Sequence, residues 1–303
     1  MATAPSPTAS IRPLKGVRIL SLALNLPGPA ALMRCQTMGA TCIKLEPPPH
    51  PTAPKGSSGD PMAMYAQTAY AAMHQGVKTL CADLKSDAGQ KVLRRELAKA
   101  DVLITSFRPS ALDKLGLGWK TLHKAYPQLS LVAIFGASGE RAEEPGHDLT
   151  YMAEHDLVTG LDLPASLYAD MGGSLMVSEA ILQARLLQLQ KGKSVRLEVA
   201  LSGAAGYLGL PRAWGLTTSG AAVGGGHAGY RVYACKDGRV AMAALEPHFA
   251  ASLAEAAGLA DSRVTSMFKP ESHAAIAAFL AGKTRKQLDA LALAKDIPLQ
   301  TLN

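Results

Sequence analysis

The sequence predicts a Rossmann-like, doubly wound α/β large domain followed by a smaller α+β domain. Short apolar runs bounded by Gly and Pro alternate with amphipathic stretches through most of the chain. A glycine-rich stretch, 220–229 (GAAVGGGHAG), then interrupts the pattern, and the segment beyond it reads as a hairpin and alanine-rich helices. With 303 residues, 48% of them hydrophobic, the chain can bury more than one core. The expected division is a flexible N-terminus at 1–13, a large domain with connecting helices at 14–219, a linker at 220–229 and a small domain at 230–303.

Residues 16–24 (GVRILSLAL) form an apolar run bounded by Gly16 and Pro27, the pattern of a buried strand. A helix over 29–38, ended by Gly39, and a second strand over 40–45 (ATCIKL) follow; this order implies a parallel pair. The segment 46–61 (EPPPHPTAPKGSSGDP) is a loop by its Pro, Gly and Ser. The alternation resumes with a strand at 78–83, an amphipathic helix at 86–100 and a strand at 102–105. Next come a helix at 110–125 broken at Gly116-Leu117-Gly118, a strand at 129–135, a long helix at 172–190 and a strand at 194–200. Beyond the linker, 230–234 and 239–244 pair around Lys236-Asp237-Gly238, and helices cover 248–256, 272–281 and 285–294.

Composition narrows the function. Aromatics at 5% are too sparse for a base-stacking surface, and the Lys and Arg behind the net charge of +7 are scattered. A phosphate-bearing small molecule therefore fits better than a nucleic acid. The four cysteines show neither C-x-x-C nor zinc-ligand spacing, so buried reduced thiols and no metal are expected. The N-terminus lacks the apolar core of a signal peptide and no stretch reaches bilayer length, so the expected location is cytoplasmic, away from membranes.

Two short motifs carry chemistry: Gly146-His147-Asp148-Leu149 and Ala169-Asp170-Met171-Gly172-Gly173. An imidazole and a carboxyl group are the side chains best suited to moving a proton on and off a weakly acidic carbon near neutral pH. Asp170 ahead of the glycines also suits a helix N-cap. Gly136-Ala137-Ser138-Gly139 misses G-x-S-x-G by one residue, which excludes a nucleophile elbow. Gly224-Gly225-Gly226 comes after no strand and lacks a Walker lysine, so a hinge fits it better than a phosphate cradle.

Further residues stand in a recognisable order: Leu14-Lys15-Gly16-Val17-Arg18-Ile19-Leu20, Met38-Gly39-Ala40 through Lys44-Leu45-Glu46, Ala82-Asp83-Leu84-Lys85-Ser86 and Ala100-Asp101-Val102-Leu103-Ile104. Phe107-Arg108-Pro109 and Leu115-Gly116-Leu117-Gly118 complete the series. On these motifs the chain, over about 14–300, resembles the class III CoA-transferase (CaiB/BaiF) superfamily. The His at position 147, where transferases carry Tyr, and Ala244-Leu245-Glu246-Pro247-His248-Phe249 resemble the α-methylacyl-CoA racemase branch.

The resemblance implies a racemase or epimerase acting on 2-methylacyl-CoA thioesters. His147 and Asp170 would work on opposite faces of the α-carbon, through an enolate. Glu246 would support His147, and Asp148 would hold the proton-sharing network of Asp170. Gly172 and Gly173 would let substrate approach the helix N-terminus, whose backbone N–H groups would stabilise the enolate oxygen. Arg108 would lie near the CoA nucleotide, with Lys44, Lys78 and Lys85 as weaker contacts. No cofactor is implied beyond the coenzyme A of the substrate, and the implied assembly is an interlocked homodimer.

The sequence also departs from the family pattern. His74-Gln75-Gly76-Val77-Lys78 replaces a more basic run, 136–145 lack a Gly-Gln-Thr-Gly-Pro loop, and Ser166 stands where racemases tend to have Asn. The small domain, ending at Asn303, is expected to be short at its C-terminus. Altered substrate recognition, or an acyl carrier other than free CoA, is the consequent expectation. Two rival readings stand beside the racemase: a CoA-transferase with Asp170 as nucleophile, and a non-catalytic acyl-CoA-binding or partner protein.

Overall fold

A computed structural model describes residues 11–54 and 57–303, so most of the expected flexible start lies outside the described residues. The chain divides into two compact units, Met1–Gly209 and Leu210–Asn303. The division falls ahead of 220–229, the stretch the sequence reading takes as the linker. That stretch instead belongs to the second unit: it forms a 3-10 turn at Ala222–Gly224, and within it Ala228 N–H donates to Met267 O at 2.8 Å.

The first unit runs β1 (Arg18–Ser21), α1 (Pro27–Thr37), β2 (Thr41–Glu46), α2 (Met62–Tyr65), α3 (Gln67–Met73), β3 (Lys78–Cys81), α4 (Asp87–Leu97) and β4 (Val102–Thr105). It continues with α5 (Pro109–Lys114), α6 (Trp119–Ala125), β5 (Ser130–Phe135), α7 (Asp148–Glu154), α8 (Tyr168–Lys191), β6 (Arg196–Ala200) and α9 (Leu201–Leu208). The six strands lie in the order β3-β2-β1-β4-β5-β6, and every pairing is parallel. This is the expected doubly wound arrangement, with the order reversing between β1 and β4.

Successive strand residues face opposite sides of a sheet, and the packing obeys that period. Ile19, Cys42, Val102, Ile104, Val132 and Ile134 enter one core with α1, α7, α8 and α9. Leu20, Ile43, Leu103, Leu131 and Ala133 enter the other with α4, α5 and α6. Both faces are therefore covered, which is why the strands read as continuous apolar runs rather than alternating ones.

Two local expectations change. The long helix starts at Tyr168 rather than 172, and its N-cap is Leu167, without a side-chain capping bond. Asp170 thus lies inside the first turn and is not the cap. Of the four free thiols, Cys35 and Cys42 are buried and pushed up to about 12 chiefly by that burial, but Cys81 is exposed and Cys235 half-buried.

The second unit holds α10 (Leu210–Ala213), β7 (Tyr230–Cys235), β8 (Gly238–Ala243), α11 (Pro247–Ala256), α12 (Pro270–Ala281), α13 (Arg285–Lys295) and β9 (Leu299–Leu302). The expected hairpin forms, with Tyr230 opposite Ala243, and β9 adds a third antiparallel strand on β8 that the sequence reading missed. Val240, Met242, Leu253, Ile276, Leu280 and Leu288 make its core. Among the described residues no helix is long and apolar enough to cross a membrane.

The turn from β1 into α1 is tight. A Cβ at Gly28 would come 2.2 Å from the Cβ of Ala23, an atom with no freedom to swing aside. Gly28→Ala is expected to lower the unfolding free energy by about 1–3 kcal/mol. Gly160→Ala, with nothing within 4 Å, is expected to change it by less than about 0.5 kcal/mol. Urea midpoints that match for the two variants would contradict the close approach.

Candidate active site

The carboxyl ends of β1, β4 and β5 open on a small cavity of about 180 Å³ beside the reversal of strand order, where open α/β sheets bind ligands. Leu24 and Asn25 reach it from the turn after β1, Ser106 and Arg108 from the turn after β4, and Gly136 from the end of β5. His147 and Tyr151 come from α7, and Asp170 comes from the first turn of α8.

His147 is the residue from which α7 departs, in extended backbone (φ −143°, ψ 171°). Thr150 folds back to close that helix end: its Oγ1 accepts from His147 N–H at 3.1 Å and donates to His147 O at 2.8 Å. His147 and Thr150 thus close this helix end as a capping box, and His147 stands exposed at the cavity. Tyr151, one turn on, lies against two glycines. A Cβ at Gly136 would come 2.3 Å from the Tyr151 hydroxyl, and one at Gly146 would come 2.6 Å from its ring. The Gly of the Gly-His-Asp motif is therefore needed for the tyrosine beside it.

Asp148 is buried, 5% exposed, and its Oδ1 accepts the backbone N–H of Asp170 at 3.0 Å. This bond joins the start of α7 to the start of α8. It holds the backbone of Asp170.

The carboxyl of Asp170 is pushed up to about 6, first by burial, then by the negative charge of Asp148, and against the opposing effect of His147. A helix N-terminus would pull a carboxyl the other way, but burial dominates here. The hydroxyls of Tyr65 and Tyr151 are both raised, mainly by loss of solvent and in part by the charge of Asp170.

The structure therefore gathers His147, Asp170 and Arg108 around one cavity, with Asp148 beneath. Within the first unit, Lys44, Gly172, Gly173, Lys78 and Lys85 go elsewhere. Lys44 is fully buried, with its ammonium held by Asp60, by Glu46 at 2.9 Å and by His74 Nε2 at 3.0 Å, so it cannot meet a phosphate. Gly172 and Gly173 face α9, not a ligand: Cβ atoms there would come 2.9 Å from Leu208 and 2.3 Å from Leu201. They serve helix packing. The amide of Asp170 is also already bonded, so the start of α8 is not the free anion cradle expected.

Lys78 opens the edge strand β3 and Lys85 lies in the turn after it, both exposed and outside the cavity lining. Glu246 is the exposed N-cap residue of α11, in the second unit. Asn25, Asp60 and Tyr151 escaped the sequence reading. The signal for Tyr151 was available, since it stands one helical turn after His147 on a segment short enough to pass for loop.

The family model for CoA-transferase family III matches residues 14–303. The α-methylacyl-CoA racemase of Mus musculus is 29% identical over 299 residues, 90% of this chain and 73% of the racemase. The cinnamoyl-CoA:phenyllactate CoA-transferase of Clostridium sporogenes is 36% identical over 151 residues, 48% of this chain and 36% of the transferase. A crystal structure of a CaiB/BaiF family protein from Brucella suis superposes with a TM-score of 0.75 at 23% identity, covering 96% of this chain and 84% of that one. The relatives thus carry both racemase and transferase names, and the fold is theirs. The chain belongs to CoA-transferase family III, an enzyme superfamily of racemases and CoA-transferases acting on acyl-CoA.

Proposed function

We propose that the protein is a racemase or epimerase of 2-methylacyl-CoA type thioesters. The observation that carries this reading is an imidazole, His147, sharing one cavity with a carboxyl group, Asp170, whose proton is held up to about 6. A proton leaves the α-carbon to one of them while the other returns a proton to the opposite face. The electron pair rests meanwhile on the thioester oxygen as an enolate. A carboxyl group that stays protonated closer to neutrality is a better acid for the return step. Coenzyme A enters as part of the substrate, and Arg108 at the cavity offers a fork of donors to its phosphates.

Asp170 as a nucleophile is the second reading, supported by its place in the cavity lining and by the transferase relative. The two differ in covalent chemistry: a transferase passes through an acyl-enzyme anhydride and a thioester on Asp170, whereas a racemase forms neither. A homodimer is part of this reading; Leu161, Leu163 and Leu167 ahead of α8 are exposed.

In deuterium oxide the protein is expected to exchange the α-proton of a 2-methylacyl-CoA. His147→Ala and Asp170→Ala are each expected to lose exchange from a different enantiomer by about 100-fold or more. No exchange across several acyl chains, together with an Asp170 adduct trapped by hydroxylamine, would favour the transferase instead.

The raised carboxyl also has a stability consequence. The folded value of Asp170 lies above its unfolded value of 3.8, so the folded state is favoured at low pH and loses that advantage as pH rises through about 6. Asp170→Asn is expected to be more stable than the parent above pH ~7, by about 1–2 kcal/mol. The difference is expected to vanish below pH ~4. A difference that does not vary with pH, measured by urea unfolding, would contradict the shift.

A further inference from the structure

Three observations converge on Asn25, in the turn after β1. It is one of three non-glycine residues with positive φ among those described, at 62°. Its backbone N–H donates to both carboxylate oxygens of Asp60, at 3.1 and 3.2 Å. Asp60 in turn is fully buried, takes the N–H of Met62 at 2.9 Å and pairs with the fully buried ammonium of Lys44. An ion pair this deep is costly to desolvate, and its remaining acceptor capacity holds both the turn at Asn25 and the start of α2. That turn forms a wall of the cavity that contains His147 and Asp170.

The side chain of Asn25 completes the case. Its Oδ1 accepts from the Tyr65 hydroxyl at 3.3 Å, and its Nδ2 carries two N–H donors. Asn25 and Asp170 line the same cavity, so the amide and the carboxyl group share one wall-bound space. A left-handed turn alone would be served as well or better by glycine, which has no Cβ to strain there. The asparagine supplies what glycine lacks, a neutral donor at the cavity wall.

We propose that Asn25 is a further catalytic residue, its side-chain amide donating to the thioester carbonyl oxygen and to the enolate that oxygen becomes. Lys44 and Asp60 are the positioning pair that holds it there. The inference rests on the thioester reading of the cavity. It replaces the α8 N-terminus, whose Asp170 amide is occupied by Asp148, as the source of the oxyanion donor.

The test compares the parent with Asn25→Gly, which keeps the backbone conformation and removes the donor. Asn25→Asp serves as a second variant that keeps the side-chain shape and tolerates the left-handed turn. The probe is a 2-methylacyl-CoA carrying ¹³C at the thioester carbonyl. The carbonyl stretch of the bound probe is expected at lower frequency than in water for the parent, and shifted back in both variants. The kcat for α-proton exchange is expected to fall about 100-fold in Asn25→Gly, with KM nearly unchanged. A carbonyl stretch and kcat in Asn25→Gly equal to the parent's would overturn the proposal. Absence of exchange in a parent that binds the probe would defeat the racemase reading, while the carbonyl comparison would still decide this one. A parent that does not bind the probe would overturn both.

Discussion

Much of the candidate site depends on one buried carboxylate. Asp148 comes directly after His147 in the chain and accepts the amide of Asp170, so one side chain ties the start of α7 to the start of α8. The spacing of His147 and Asp170 is thereby built into the backbone rather than left to rotamers. The same carboxylate acts through its charge, adding to the effect of burial on Asp170. Position and acidity thus converge on one residue, through its acceptor oxygen and its charge.

Around that pair the sheet supplies the rest. The reversal between β1 and β4 leaves the carboxyl ends of neighbouring strands free to send loops to opposite sides, and the cavity forms there. Below it the protein spends its deepest charges on geometry: Lys44 and Asp60 are wholly buried, with Glu46 2% exposed beside them. Around the cavity, by contrast, Arg108 and His147 are exposed and available to a ligand. Buried charge thus positions the turn, while the side chains of Arg108 and His147 stay open to solvent.

The strands were legible because a strand buried on both faces leaves a short apolar run between Gly and Pro, and Val102–Thr105 forms as expected. The start of α8 was not, because Leu167 gives no capping signal and the helix begins before the glycines that drew attention. That His147, Asp170 and Arg108 share one cavity was legible through motif order. Lys44 was misread because its partner Asp60 lies in a Pro- and Gly-rich loop, and no local pattern announces that two charges will be buried together. Gly172 and Gly173 were misread for a related reason: the side chains that fill their space belong to α9, beyond an intervening strand. Long-range packing of this kind leaves no trace in local periodicity.

The central claim is that burial and the charge of Asp148 hold the proton of Asp170. Its most direct test is the titration of the Asp170 carboxyl, monitored by isotope-edited infrared difference between the parent and Asp170→Asn, repeated in Asp148→Asn. The Asn at 148 can still accept the Asp170 amide but carries no charge. The account predicts a midpoint at about 6 in the parent and a lower one in Asp148→Asn. A midpoint in the ordinary aspartate range in the parent, unmoved by the substitution, would contradict it.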